Sequence, residues 1–197
     1  MAYPTVSAPY GFAPINRLDG MPYAGATRNL KIASGYAADL VKGDLVSIVT
    51  GGTVEKFAGT NSGSPVGVFM GCAYTNPTTK QKQFAQYWPT GTVAADAVAY
   101  VVDDPNAVFK VAVTDGSSDM STAAITAIGA NVAIVQGSGD TTAAISGVSV
   151  LAGSEATTNT LPVRVIDVVP ETATSATAYA EVIVKINLHQ YNQAEGI

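Results

Sequence analysis

Few side chains in this sequence have the type and spacing that catalysis needs. The chain has one histidine, His189, and one cysteine, Cys72. Any Ser-His-Asp or Cys-His arrangement would have to use His189, which ends a strand-like segment where a strand-end role or a subunit contact is more common. Cys72 lies in an apolar run and is interpreted as a small buried hydrophobic residue. The sequence therefore predicts that the protein is not an enzyme.

Two further patterns suggest ligand binding but have simpler explanations. The acidic residues of Asp-Asp-Pro-Asn (103–106), with Asp115 and Asp119, could offer oxygen ligands to calcium. Their spacing does not match an EF-hand loop, and the segment fits a type I turn. GSGDT (137–141) resembles part of a phosphate loop but lacks the Gly-Lys-Ser/Thr sequence. We therefore expect no metal and no cofactor.

Trp88, with Tyr87 and Phe84 close by in the sequence, allows two interpretations. Trp and Tyr are enriched in interfaces, so the cluster could be a carbohydrate-stacking platform or an interface anchor. A core aromatic residue at a strand end, with Pro89 stopping the strand, explains it equally well. The sequence leaves both interpretations open.

Composition excludes several partners. The net charge of -5 and the isoelectric point near 4.6 give no electrostatic footprint for nucleic acid or for an anionic membrane. No signal peptide or membrane span is evident. Charged residues make up 13% of the chain and hydrophobic residues 47%, a balance typical of a durable extracellular β-protein. A virion component that is synthesised in a bacterial cytoplasm and released by lysis would combine this composition with the absence of an export signal.

Strand signals dominate the chain from residue 45 onward. LVSIV (45–49) and TVEKF (53–57), joined through Gly51-Gly52, predict a hairpin. Further strand-like segments are 65–74, 81–88, 97–102, 107–113, 131–135, 145–151, 161–169 and 178–187. We predict that 97–102 and 107–113 flank the turn at 103–106 within a β-meander. In the last segment, Val182, Val184 and Ile186 alternate with Glu181, Lys185 and Asn187, as a half-buried strand requires.

One short helix is predicted over 118–129. Asp119 or Ser121 can cap its N-terminus, Ile125 and Ile128 share a face, and Gly129 can close it. The whole pattern predicts an all-β protein, a compact barrel or sandwich with this one helix, and leaves open a division into two lobes near residue 115.

The chain divides into an N-terminal arm (1–30), a β-rich body (31–187) and a C-terminal tail (188–197). The arm alternates prolines with aromatic residues: Pro4, Pro9, Pro14 and Pro22 with Tyr3, Tyr10, Phe12 and Tyr23. Proline favours extended backbone, and ordering the arm costs more conformational entropy than its own aromatic residues return on burial. The arm therefore needs a rigid surface, which could be its own barrel, a symmetry-related copy or another protein.

These segments together resemble a family of structural proteins of tailed bacteriophages, particularly phages of aquatic bacteria. The resemblance spans nearly the whole chain and is carried by YGFAPIN (10–16), PYAGATRNLKIASGYA (22–37), PVGVFMGCAYTNP (65–77), FAQYWP (84–89), AYVVDDPNAVFKVAV (99–113), IGANVAIVQGSGDTT (128–142), LPVRVIDVV (161–169) and VIVKINLHQY (182–191). It implies a capsid decoration, or cement, protein that binds the outer surface of the head, ties neighbouring major capsid subunits together and forms a homotrimer.

On this reading, contacts with the capsid and between subunits are made by residues of the arm and the tail. They are Tyr3, Tyr10, Phe12, Arg17, Tyr23 and Arg28 in the arm, and His189 and Tyr191 in the tail. The alternative is a glycan- or receptor-binding module of a virion fibre or tail, with Trp88, Tyr87 and the turn at 103–106 forming its site.

Overall fold

The structure is a computed structural model that describes residues 6–114, 123–172, 179–194 and 196. Within these residues the fold is all-β, as the sequence predicts. The strands are β1 (Ala13–Arg17), β2 (Arg28–Ile32), β3 (Leu40–Val41), β4 (Leu45–Val49), β5 (Thr53–Lys56), β6 (Gly67–Thr75), β7 (Lys82–Ala85), β8 (Tyr87–Trp88), β9 (Val98–Val102), β10 (Ala107–Thr114), β11 (Asn131–Val132), β12 (Ile134–Val135), β13 (Ser149–Leu151), β14 (Val163–Val168) and β15 (Ala180–Ile186). Single 3-10 turns lie at Ile125–Ala127 and Gln190–Asn192.

Five strands close into the first barrel. β4 pairs with β5, β5 with β2, β2 with β9, β9 with β6, and β6 pairs again with β4. The β4–β5 hairpin is confirmed, and its turn uses Gly51 and Gly52 at φ of +105° and +76°, which suits glycine because it has no Cβ. The predicted pairing of 65–74 with 81–88 is confirmed in β6 and β7, where Cys72 lies opposite Ala85.

The second barrel is built from the C-terminal half of the chain and β1. β14 pairs with β15, β15 with β10, β10 with β13, and β13 with β12. β11 pairs with β14 and is separated from β12 only by Ala133, so these two short strands complete the ring. β1 adds to the free edge of β10.

The two barrels share part of one hydrophobic core. Phe109, Val111, Val182 and other buried residues of the second barrel form a cluster that includes Leu45 and Val68 of the first. A separate cluster, which includes Phe69 and Trp88, fills the first barrel. Because the shared cluster crosses the junction, the barrels are packed against each other and not merely linked.

The predicted meander around residues 103–106 is wrong. β9 pairs with β2 and β6, whereas β10 pairs with β1, β13 and β15, so the turn joins two barrels. The chain therefore changes barrel at 103–106, ahead of residue 115. Side chains of β10 are buried on both faces of the strand. A hairpin partner lies beside a strand and covers neither face, so other parts of the second barrel must cover them.

The predicted helix falls partly outside the described residues, which resume at Ala123. From there the chain forms the 3-10 turn Ile125–Ala127 and no α-helical turn. Ala127 is buried, whereas Ile125 and Ile128 are 75% and 42% exposed, so both isoleucines lie at the surface. A 3-10 turn is tighter than an α-helical turn and occurs in short pieces, which fits the three residues found here.

Alternation in β15 is confirmed for its apolar residues. Val182, Val184 and Ile186 are buried in the second barrel. Glu181 was expected on the solvent face but is only 5% exposed, because the arm covers it.

Candidate functional site

The predicted contact residues occupy three places in the structure. Tyr10, Phe12 and Tyr23 belong to the arm where it crosses the barrels, Arg17 and Arg28 pair with the turn at 103–106, and His189 and Tyr191 lie in the tail. Tyr3 lies outside the described residues. Over their described residues, the arm and the tail pack onto the body.

Phe12 anchors the arm in the protein's own core. Its side chain is 1% exposed, its ring meets the edge of Phe109 at a centroid distance of 6.1 Å, and its amide donates to the Gly43 carbonyl at 2.9 Å. Gly11 has a φ of +77°, and a Cβ there would lie 2.6 Å from the Gly43 oxygen. Phe12 is therefore a core residue that a partner cannot reach in this conformation.

Tyr10 fastens the arm through a buried carboxylate. Its hydroxyl donates to Glu181 Oε1 at 2.5 Å, and Lys110 Nζ lies 2.9 Å from the same oxygen. Lys110 also lies 5.7 Å from the centre of the Tyr10 ring. Burial, followed by the hydrogen bond to Glu181, raises the pKa of Tyr10 far above its usual value. The phenol is therefore protonated at neutral pH and donates to the Glu181 carboxylate.

The arm presents apolar side chains to solvent just after these anchors. In the β1–β10 ladder Pro14 lies opposite Phe109 and Asn16 opposite Val108, so Ile15 is the extra residue of a bulge. Ile15 is 39% exposed, and Leu18 and Met21 on the following turn are 48% and 59% exposed. That turn is held by hydrogen bonds of Arg17 with Met21 and of Leu18 with Asn106. We call Ile15, Leu18 and Met21 the arm surface.

Arg17 and Arg28 are engaged within the protein. Arg17 lies 3.1 Å from Asp104 and 3.1 Å from Asp19, and Arg28 lies 2.8 Å from Asp103. Both arginines therefore tie the N-terminal segment to the turn that joins the barrels. Their charges are locally balanced, which reduces the attraction they could offer to an acidic partner.

The tail binds the first barrel through Gln190. Its side-chain amide accepts from the Ile48 amide at 2.8 Å and donates to the Ile48 carbonyl at 2.7 Å, as a neighbouring strand would. Tyr191 is 42% exposed, and Arg28 lies 5.3 Å from the centre of its ring. Burial and a hydrogen bond to Asp103 raise the pKa of Tyr191. Tyr191 is thus the accessible member of the predicted tail pair.

His189 is buried beneath Tyr191. Its side chain has no exposed surface, and Nδ1 accepts from the Tyr191 amide at 3.2 Å. Burial lowers the pKa of His189, although Asp103, the Val66 backbone and Asp104 favour the charged form. His189 is therefore a neutral core residue and not a surface contact.

The buried histidine predicts a pH dependence of stability. The unfolded chain takes up a proton near pH 6.5, the ordinary pKa of histidine, whereas folded His189 resists it. The free energy of unfolding should therefore fall as the pH drops from 7.5 to 5.5, and the loss levels off below the pKa of the folded state. Urea unfolding at several pH values in this range measures it.

The control for this pH dependence is His189→Gln, because the chain has no other histidine. The variant should lose the slope between pH 7.5 and 5.5, whatever its stability at neutral pH. A slope that persists in the variant would mean that other groups cause it.

The residues of the alternative glycan site do not assemble. Trp88 is 0% exposed and packs against Tyr74, and Asp103 and Asp104 are paired with arginines. A buried indole cannot stack on a sugar. Cys72 is also buried, which raises the pKa of its thiol to about 12 and leaves it unreactive at neutral pH.

One buried ionic cluster was not predicted from the sequence. Asp44 is 0% exposed and accepts from the Ser146 hydroxyl at 2.6 Å and the Val41 amide at 3.0 Å, while Lys56 Nζ lies 3.0 Å away. The cluster joins the first barrel to the segment before β13. In the sequence Asp44 follows Lys42-Gly43 and carries only the signal of an ordinary turn residue.

A cleft opens between the arm, the first barrel and the loop before Ser146. Its volume is about 590 Å³, and we call it the arm cleft. It is lined by Tyr10, Phe12, Ala13, Pro14, Tyr23, Lys42, Gly43, Met70, Gln86, Ala143, Ala144 and Ile145. The arm residues that the sequence singles out thus form one wall of a concave surface.

Comparison of the chain with known protein families, with curated proteins and with solved structures finds no match. Across the described ranges, no group of three or more His, Cys, Asp or Glu side chains is placed to hold a metal ion. The same ranges contain no helix with the length and apolar character to span a membrane.

Proposed function

We propose that the protein is a capsid decoration protein of a tailed bacteriophage. It binds the outer surface of the head as a homotrimer and stabilises the junctions between major capsid subunits. Binding to the assembled shell in preference to separated subunits stabilises the shell, and many identical contacts add through multivalency.

The observation that supports this function best is the arm surface. Ile15, Leu18 and Met21 expose apolar area on a segment that is fixed by β1 pairing, by the Phe12 anchor and by the Arg17 ion pairs. A rigid apolar surface loses little conformational entropy when a partner covers it, which favours tight binding. The sequence resemblance to phage structural proteins supports the choice of partner.

The arm surface predicts which substitutions weaken binding to heads. The triple variant Ile15→Ser, Leu18→Ser, Met21→Ser should bind undecorated heads at least about tenfold more weakly than the wild type, because apolar contacts at the centre of an interface carry much of its energy. Co-sedimentation of purified protein with heads measures this change. The unfolding midpoint should fall only modestly, since the three side chains are 39%, 48% and 59% exposed.

A second triple variant provides a matched control. Phe84, Val93 and Ile125 are 74%, 66% and 75% exposed and lie outside the arm. Changing these three to serine removes a comparable apolar surface and should leave head binding intact. Equal weakening by both triple variants would show that the arm surface is not the binding face.

A further inference from the structure

The arm cleft has the properties of a binding site. Its volume of about 590 Å³ lies in the range of ligand sites, roughly 300 to 1,000 Å³. Phe12, Pro14 and Met70 give it an apolar floor and wall, and Ile145 lies at its rim with 45% of its surface exposed. An apolar side chain from a partner could be buried here without displacing the arm.

Lys42 gives this apolar cleft a positive charge. Among the described residues, five of the ten cationic side chains form ion pairs, namely Arg17, Arg28, Lys56, Lys82 and Lys110. Lys42 is exposed and forms neither an ion pair nor a side-chain hydrogen bond with any described residue. In a chain with a net charge of -5, an unbalanced ammonium beside an apolar cleft favours an occupant with a carboxylate.

The loop that carries Ile145 is fixed by internal hydrogen bonds and contains a residue with positive φ. Asp140 Oδ1 accepts from the amides of Thr142 and Ala143, and the backbones of Asp140 and Ile145 bond to each other. Ala144 has a φ of +54°, in the left-handed region that residues with a Cβ rarely adopt. The loop thus fixes the Ile145 side chain at the rim of the cleft, where 45% of its surface stays exposed.

The cleft and the arm surface are neighbours along the arm. Pro14 lines the cleft, and Ile15, the next residue, belongs to the arm surface. An extended peptide can cover both, whereas a compact small molecule would fill only the cleft. From this geometry we propose that an extended segment of the major capsid protein binds in the arm cleft, with an apolar side chain against Pro14, Met70 and Ile145 and a carboxylate beside Lys42.

This inference rests on the proposed function, and charge reversal tests it. Lys42→Glu should weaken binding to undecorated heads at least about tenfold, because it places two carboxylates together in a partly desolvated cleft. Lys42→Met, which keeps the side chain's length, should weaken it less. Lys31→Glu is the matched control, since Lys31 is exposed on β2, does not line the cleft and changes the net charge equally.

The possible outcomes separate failure of the cleft inference from failure of the proposed decoration function. If the wild type and Lys31→Glu bind heads while Lys42→Glu is impaired, the cleft is occupied by an acidic segment. If the wild type binds and Lys42→Glu binds as well as Lys31→Glu, the cleft inference is overturned while the proposed function stands. If the wild type itself does not bind heads, both fail.

Discussion

Asp44→Ala is expected to lower the free energy of unfolding by about 3 to 5 kcal/mol, the range for removing one partner of a buried ion pair. The substitution leaves the Lys56 ammonium, the Ser146 hydroxyl and the Val41 amide without their acceptor. Lys56 is 25% exposed and can recover some hydration, so the lower end of that range applies if it reaches water. Urea unfolding at pH 7.5 measures the loss.

Asp96→Ala is the control for Asp44→Ala, because Asp96 has the same kinds of partner in an exposed setting. It accepts from Lys82 at 2.7 Å and from the amide and hydroxyl of Thr75 at 3.0 and 2.8 Å. These partners hold the pKa of Asp96 well below its usual range. Water can replace them, so the variant should be far less destabilised than Asp44→Ala. Equal losses would mean that burial of Asp44 has no energetic consequence.

Phe12→Ala is expected to destabilise the protein by about 3 to 5 kcal/mol, as for other buried aromatic residues. The change removes the edge contact with Phe109 and leaves a cavity where the arm enters the core. Because the arm surface follows this anchor directly, head binding should weaken as well. Chemical denaturation gives the first effect and co-sedimentation with heads the second.

Phe84→Ala is the control for Phe12→Ala. Phe84 lies on β7 with 74% of its surface exposed, so its truncation removes few packing contacts and leaves no cavity. The unfolding free energy should be nearly unchanged. A loss of less than about 1 kcal/mol for Phe12→Ala, close to that of Phe84→Ala, would contradict the placement of the arm in the core.

Local signals were sufficient for some parts of the fold. Gly51-Gly52 between two apolar runs identified the β4–β5 hairpin, since the turn geometry is set by those residues themselves. Strict alternation identified the buried face of β15. Partner choice is not local, and β9 and β10 look like a hairpin because nothing in the four residues between them shows that they enter different barrels.

The arm shows the same division between local and non-local information. Its prolines and aromatic residues predicted that it needs a rigid surface, and the structure provides one on the protein's own barrels. The sequence could not show that Phe12 faces inward while Ile15 faces outward, because the bulge between Pro14 and Asn16 sets that direction. The buried role of Asp44 could not be predicted from the sequence, because its partner Ser146 lies 102 residues away.

The most direct test of the proposed function is a cryo-electron microscopy map of undecorated heads mixed with the purified protein. We predict density on the outer surface at junctions between major capsid subunits, with Ile15, Leu18 and Met21 in contact with the shell. Density confined to the tail or fibres, or heads that remain bare at saturating protein, would contradict a decoration function.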